Sequence, residues 1–183
     1  MARADVNEPH DVVLDAVDLL TRDHRLVEEL FAAFDQAAPQ QLDPLARRVC
    51  KMLRIHAQIE EEILYPIARR AVGDDVLIDD AQREHADARQ SIARVESMTS
   101  DDSGFKEAVS ALAAQIAEHV DSEEHQLFPQ LRDRGVNLAS IGLTLAERRD
   151  TLLDTLGLHS DDEEGAANQR DAQQPSTAGR PSI

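Results

Sequence analysis

The chain has 183 residues, 42% of them apolar, and a formal net charge of −17. That length accommodates one domain with a substantial core plus a tail, and the negative charge argues against nucleic-acid phosphates or an anionic membrane surface as partners and in favour of cations. The single cysteine, Cys50, excludes an intramolecular disulfide framework and any thiolate cluster, and is expected to be a small buried apolar residue.

Residues 1–11 read as a flexible arm, with acids where a secretory leader would need an unbroken apolar run. No apolar stretch reaches the ~18 residues of a membrane span, so a cytoplasmic protein with no membrane partner is expected. Apolar residues then recur at three and four positions through Val13–Phe34, Leu45–Ala71, Val76–Val95 and Phe105–Leu131, which is helical periodicity. The breaks fall at "APQQLDP", "VGDD" and "TSDDSG", all rich in Pro, Gly, Asp or Ser. Four such helices with short links predict an all-α, up-down-up-down four-helix bundle. Pro66 and Pro129 lie near the ends of the second and fourth helices, where each is expected to kink or stop its helix. A short fifth helix is expected after Gly135, with Thr144 and Glu147 at capping-box spacing. The folded domain is thus expected over residues 12–156. From 157 to 183 the sequence "GLHSDDEEGAANQRDAQQPSTAGRPSI" has too little apolar mass to offset the entropy of ordering it, which predicts a disordered acidic tail. His10 in the arm and His159 in the tail are not expected to ligate.

The helices carry a repeat. "HAQIEEEILYP" from His56 and "HVDSEEHQLFP" from His119 both fit His-x-x-x-Glu-Glu-x-x-Leu-aromatic-Pro, offset by 63 residues. Each is preceded by an acid-histidine pair in the previous helix, Asp23–His24 and Glu84–His85. One half therefore reads His24, His56, Glu60 and the other His85, His119, Glu123. Positions i and i+4 of a helix lie about 40° apart and one turn away, so each His-x-x-x-Glu presents an imidazole and a carboxylate on one face. If the helices turn these groups inward at similar depth, two adjacent three-ligand half-sites result.

Imidazole and carboxylate suit iron, manganese or zinc, and a carboxylate has two oxygens with which to bridge a metal pair. Such a set is too small to saturate two ions, and the remaining positions can take an oxygen bridge and a small exogenous ligand. A lone His-x-x-x-Glu on a charged helix is usually an exposed pair of little consequence. Two copies in register are not.

In these four stretches the sequence resembles the hemerythrin family, specifically its HHE cation-binding domain, over about residues 14–134. The resemblance implies a bundle enclosing a non-haem di-iron site, two oxo- or hydroxo-bridged iron ions held by His24, His56, Glu60, His85, His119 and Glu123. It also implies that dioxygen, peroxide or nitrogen oxides are bound, sensed or transformed there. Oxygen-carrying members have a further histidine one turn after the third-helix histidine, where this chain has Arg89. A guanidinium does not ligate, so one iron is expected to be more open. Those members also take the fourth-helix carboxylate five residues after its histidine, which would be Glu124. The i+4 spacing and the match to Glu60 favour Glu123, with Glu61 and Glu124 behind the ligands or facing solvent.

Tyr65 and Phe128 share one repeat position and are expected to pack at helix ends. Tyr65 could also donate to a metal-bound ligand or fill the position left by Arg89. Phe31 and Phe34 are expected to line the space above the metals, and His125, about 240° round the helix from His119, to face solvent. No histidine has a glutamate three positions before it, which sets aside the ferritin-like di-iron class. A metal-free bundle would have to bury these groups uncompensated. The expected function is binding and turnover of hydrogen peroxide, as in a catalase. The alternative is non-enzymatic binding, storage or sensing of dioxygen or iron.

Overall fold

A computed structural model describes residues 14–157. Within them lie α1 (Ala16–Asp35), α2 (Pro39–Ile59), α3 (Tyr65–Val72), α4 (Asp75–Glu96), α5 (Phe105–Ser122), α6 (Phe128–Asp133) and α7 (Leu138–Thr155), with no strand among the described residues. The arm and nearly all of the tail, with His10 and His159, fall outside the described residues. Among the described residues, those to Arg149 form one compact unit and those from Asp150 belong to a second.

The bundle forms because each long helix has one apolar stripe. In α1 the buried side chains include Leu20, His24, Val27, Leu30 and Phe34, spaced by three and four. α1 packs on α2, α2 on α4, α4 on α5 and α5 on α1, which closes a ring of four. Asp15 caps α1, and Asp74 caps α4 by accepting from the Leu77 N–H at 3.1 Å. Gly73 and Gly104 take positive φ values of 74° and 89° in the tight links.

Three local expectations are corrected. α2 begins at Pro39, not after Pro44, because Pro39 sits in the first turn where its missing N–H is no loss. Pro66 and Pro129 stop nothing: the chain passes through the wide turns Glu60–Leu64 and Glu123–Leu127 into α3 and α6. In each turn the bond spans five residues, from the Tyr65 N–H to the Glu60 carbonyl and from the Phe128 N–H to the Glu123 carbonyl. The extra residue accommodates the proline ring, which would otherwise meet the carbonyl four residues back. Finally, α7 is the shorter helix expected after Gly135, with 18 residues, but its cap is not Thr144. Asn137 caps it, accepting from the Ser140 N–H at 3.1 Å, and Thr144 lies inside, bonded back to the Ser140 carbonyl.

Candidate metal centre

Four histidines from four helices meet in the core. His24 (α1), His56 (α2), His85 (α4) and His119 (α5) are all buried, as are Glu60 and Glu123, the first residues of the two wide turns. The Nε2 atoms of His24 and His56 are 3.1 Å apart, and so are those of His85 and His119. Each lone histidine thus pairs with the motif histidine of its own half. The carboxylates belong to both halves. Glu60 Oε2 lies 3.2 Å from His56 Nε2 and 3.3 Å from His85 Nε2. Glu123 Oε2 lies 3.5 Å from His24 Nε2 and 3.6 Å from His119 Nε2.

A carboxylate stands behind each ring. His24 Nδ1 is 2.8 Å from Glu124, His85 Nδ1 is 3.0 Å from Glu61, and His119 Nδ1 is 2.9 Å from Glu84. His56 Nδ1 faces Asp23 at 3.9 Å, too far for a hydrogen bond. Every acid of the repeat therefore has a place. The first Glu of each Glu-Glu pair enters the cluster, the second orients a histidine of the other half, and the acid before each lone histidine faces the motif histidine of its own half. Arginines stand behind three of these acids: Arg25 on Glu124, Arg89 on Glu61 at 2.5 Å, and Arg149 on Asp23 at 2.6 Å.

An ionised carboxylate only accepts, so Nδ1 of the three closely backed rings carries a hydrogen and Nε2, in the neutral ring, presents a lone pair. Two lone pairs at 3.1 Å repel unless something positive lies between them. With metal–nitrogen bonds of about 2.1 Å, 3.1 Å is the separation expected of neighbouring ligands on one ion. Glu60 is fully buried, and neither of its oxygens has a hydrogen-bond partner; Glu123 Oε2 also lacks one. Burial, and then the charge of Glu123, push the Glu60 carboxyl well above its usual range. Burial also opposes the ionised form of Glu123, but the facing His119 and His24 outweigh it and hold Glu123 ionised. Burial and the neighbouring His119 push His85 down to about 4. In His119 burial is outweighed by Glu123 and Glu84, which raise it to about 9. Protons are thus partial substitutes for a cation. His24, His56, Glu60 and Glu123 can converge on one ion, and Glu60, His85 and His119 on another.

Tyr65 lies inside the site as well as at a helix end. Its hydroxyl donates to Glu123 Oε1 at 2.8 Å and lies 3.3 Å from His85 Nε2. Burial and the charge of Glu123 push it well above its usual value, so it remains a proton holder. Phe128, its counterpart, stacks on His24 with centroids 5.8 Å apart. The wide turns explain both placements, since a regular helix would put position i+5 about 140° from position i. His125 is exposed.

Arg89, as expected, is not among the groups that converge on the cluster; it lies 45% exposed and holds Glu61. One expectation changes. Phe34 packs edge-on against Phe105, and neither it nor Phe31 lines the space beside the cluster. That space is a cavity of about 430 Å³ walled by Val27, Leu53, Ala88, Ile92, Ile116 and Val120. The sequence reading also missed the wide turns, Arg149 and the roles of Asp23 and Glu84; for these two acids the acid-histidine repeat was the available signal.

Residues 15–131 match the Hemerythrin HHE cation binding domain family. A protein from Nostoc sp. named "DNA nickase" is 31% identical over 127 residues, which are 67% of this chain and 34% of that protein; the chain thus spans about a third of its length. The crystal structure of a Hemerythrin HHE cation binding domain-containing protein from Mycobacterium kansasii superposes with a TM-score of 0.68 at 20% identity, covering 78% of this chain and 89% of the other. No helix among the described residues is long and apolar enough to cross a membrane.

Proposed function

Since the chain belongs to the hemerythrin HHE cation-binding domain family, we propose that its histidine–glutamate cluster holds two iron ions and that the protein binds and turns over hydrogen peroxide, as a catalase does. The observation that carries this reading is Glu60, a fully buried carboxylate with no hydrogen-bond partner, set between a histidine of each pair. A buried charge of that kind is costly unless a cation compensates it. Bound iron would supply electron exchange and open coordination positions for a small oxidant.

The side chains do the rest. The carboxylates behind the rings hold the imidazoles with Nε2 inward and raise their basicity. Glu60 and Glu123 each reach both histidine pairs, which suits a carboxylate spanning two ions. The Tyr65 hydroxyl keeps a proton beside Glu123, where a developing oxyanion could draw on it. Its fully buried position keeps that proton from bulk water.

The test is to load the protein with iron, measure metal per chain and follow oxygen release on adding peroxide. Two irons and sustained release of one dioxygen per two peroxides are expected. Full iron loading without release would overturn the catalase activity. It would favour the second reading, non-enzymatic binding or sensing of dioxygen, for which the aliphatic cavity wall beside the cluster speaks.

A further inference from the structure

The cavity is far larger than peroxide or dioxygen needs. Guests of water size take about 30 Å³ each, and an aliphatic cavity of about 150 Å³ accepts benzene. This one, at about 430 Å³, lies within the range of small-molecule sites.

Its position follows from the helix register. Val27 and Ala88 come three residues after His24 and His85, while Leu53 and Ile116 come three residues before His56 and His119. Neighbouring helices run antiparallel, so all four steps lead away from the histidines in one direction, toward Ile92, seven residues or about 10 Å beyond His85. On the opposite side of the cluster, Ile78, Leu64, Leu127 and Leu131 are fully buried. The cluster is therefore closed on one side and has an aliphatic chamber on the other. Arg54 and Gln58 from α2, Glu61 from the wide turn after it and Arg89 from α4 line its more polar part. Both arginines there are already neutralised, Arg89 by Glu61 and Arg54 by Glu96 at 2.6 Å, so neither the wall nor these arginines call for a charged guest.

We propose that this chamber binds an uncharged organic molecule of about ten non-hydrogen atoms, with its apolar body against Val27, Leu53, Ile92 and Ile116 and one oxygen-bearing end toward the histidine Nε2 atoms. The substrate class of the site is then organic oxygen compounds, such as alkyl or aryl alcohols and hydroperoxides, in addition to hydrogen peroxide. This extends the reading above and rests on the cluster holding metal.

The probe is 2-phenyl-2-propanol, titrated calorimetrically into the iron-loaded full chain, with iron content measured on the same sample. Saturable one-to-one binding with a dissociation constant of about 1 mM or below is expected for a guest of that size. Ala88→Phe and Ile116→Phe, which fill the chamber from different helices, should each weaken it at least tenfold while the circular dichroism and iron content stay at the parent level. Should one variant fail to fold, the other decides. Absence of saturable binding to iron-replete protein would overturn the proposal, as would equal binding by a folded filled variant. Failure to load iron would show in the metal analysis and count against the metal reading instead.

Discussion

Glu60 is the fully buried carboxylate of the cluster that has no hydrogen-bond partner on either oxygen. Its carboxyl is pushed well above the usual range by burial and then by Glu123. The metal-free folded chain therefore keeps Glu60 protonated to higher pH than the unfolded chain does, and above the usual carboxylate value folding takes up a proton. That term costs stability as pH rises above the usual carboxylate value. Glu60→Gln removes it. After chelation the variant should melt higher than the parent, by about 2–4 °C for each kcal/mol recovered, with a larger gain at pH 7 than at pH 5, while its iron content falls. Scanning calorimetry at both pH values measures this; equal melting at both would mean that Glu60 is ionised in the fold without penalty. Tyr65→Phe tests the neighbouring bond. Losing the donor to Glu123 should cost about 1–3 kcal/mol in urea unfolding, and an unchanged midpoint would mean that the hydroxyl contributes nothing there. At this scale the sequence named all six residues that meet in the cluster, because a repeat in register marks them. It could not say that Glu60 and Glu123 serve both pairs, since spacing along a helix does not specify which neighbour a carboxylate faces across the bundle.

The four long helices were legible as elements because apolar periodicity reports the buried face directly. The two wide turns were not. Proline near a helix end ordinarily signals a stop, and only the packed structure shows that one extra residue per turn lets the helix continue and brings Tyr65 and Phe128 onto the face of Glu60 and Glu123. The fifth helix was legible but its cap was not: Asn137 is a weaker signal in sequence than the Thr144–Glu147 pair, yet it is the cap that forms. α7 reaches the histidine–glutamate cluster through Arg149, whose ion pair with Asp23 accompanies the long 3.9 Å approach of Asp23 to His56. What lets α7 lie close is Gly142. A Cβ there would press on the Leu14 carbonyl oxygen and come within 2.8 Å of the Asp15 carbonyl carbon, both backbone atoms with little room to move. Gly142→Ala should therefore destabilise the protein by about 1–3 kcal/mol, the usual cost of overpacking. An unchanged denaturation midpoint would show that α7 can lift away freely.

For the whole molecule the question is what the likeness to a DNA nickase carries with it. The shared segment is 34% of that protein, so its nicking activity need not reside in the part this chain resembles. Charge decides the expectation. The chain has 36 acidic against 19 basic residues. Arg25, Arg89 and Arg149 are already committed to the acids behind the histidines. Binding DNA requires cationic side chains that displace counterions from phosphates, and a net charge of −17 opposes the approach at every distance the salt does not screen. Supercoiled plasmid incubated with the iron-loaded protein should remain supercoiled at both about 50 mM and about 200 mM salt. The gel assay has a sharp opposite outcome. Open-circular DNA that appears with the parent and disappears on chelation or in Glu60→Gln would mean that the cluster itself attacks DNA, and that long-range repulsion had been overcome by a local surface the net charge does not describe.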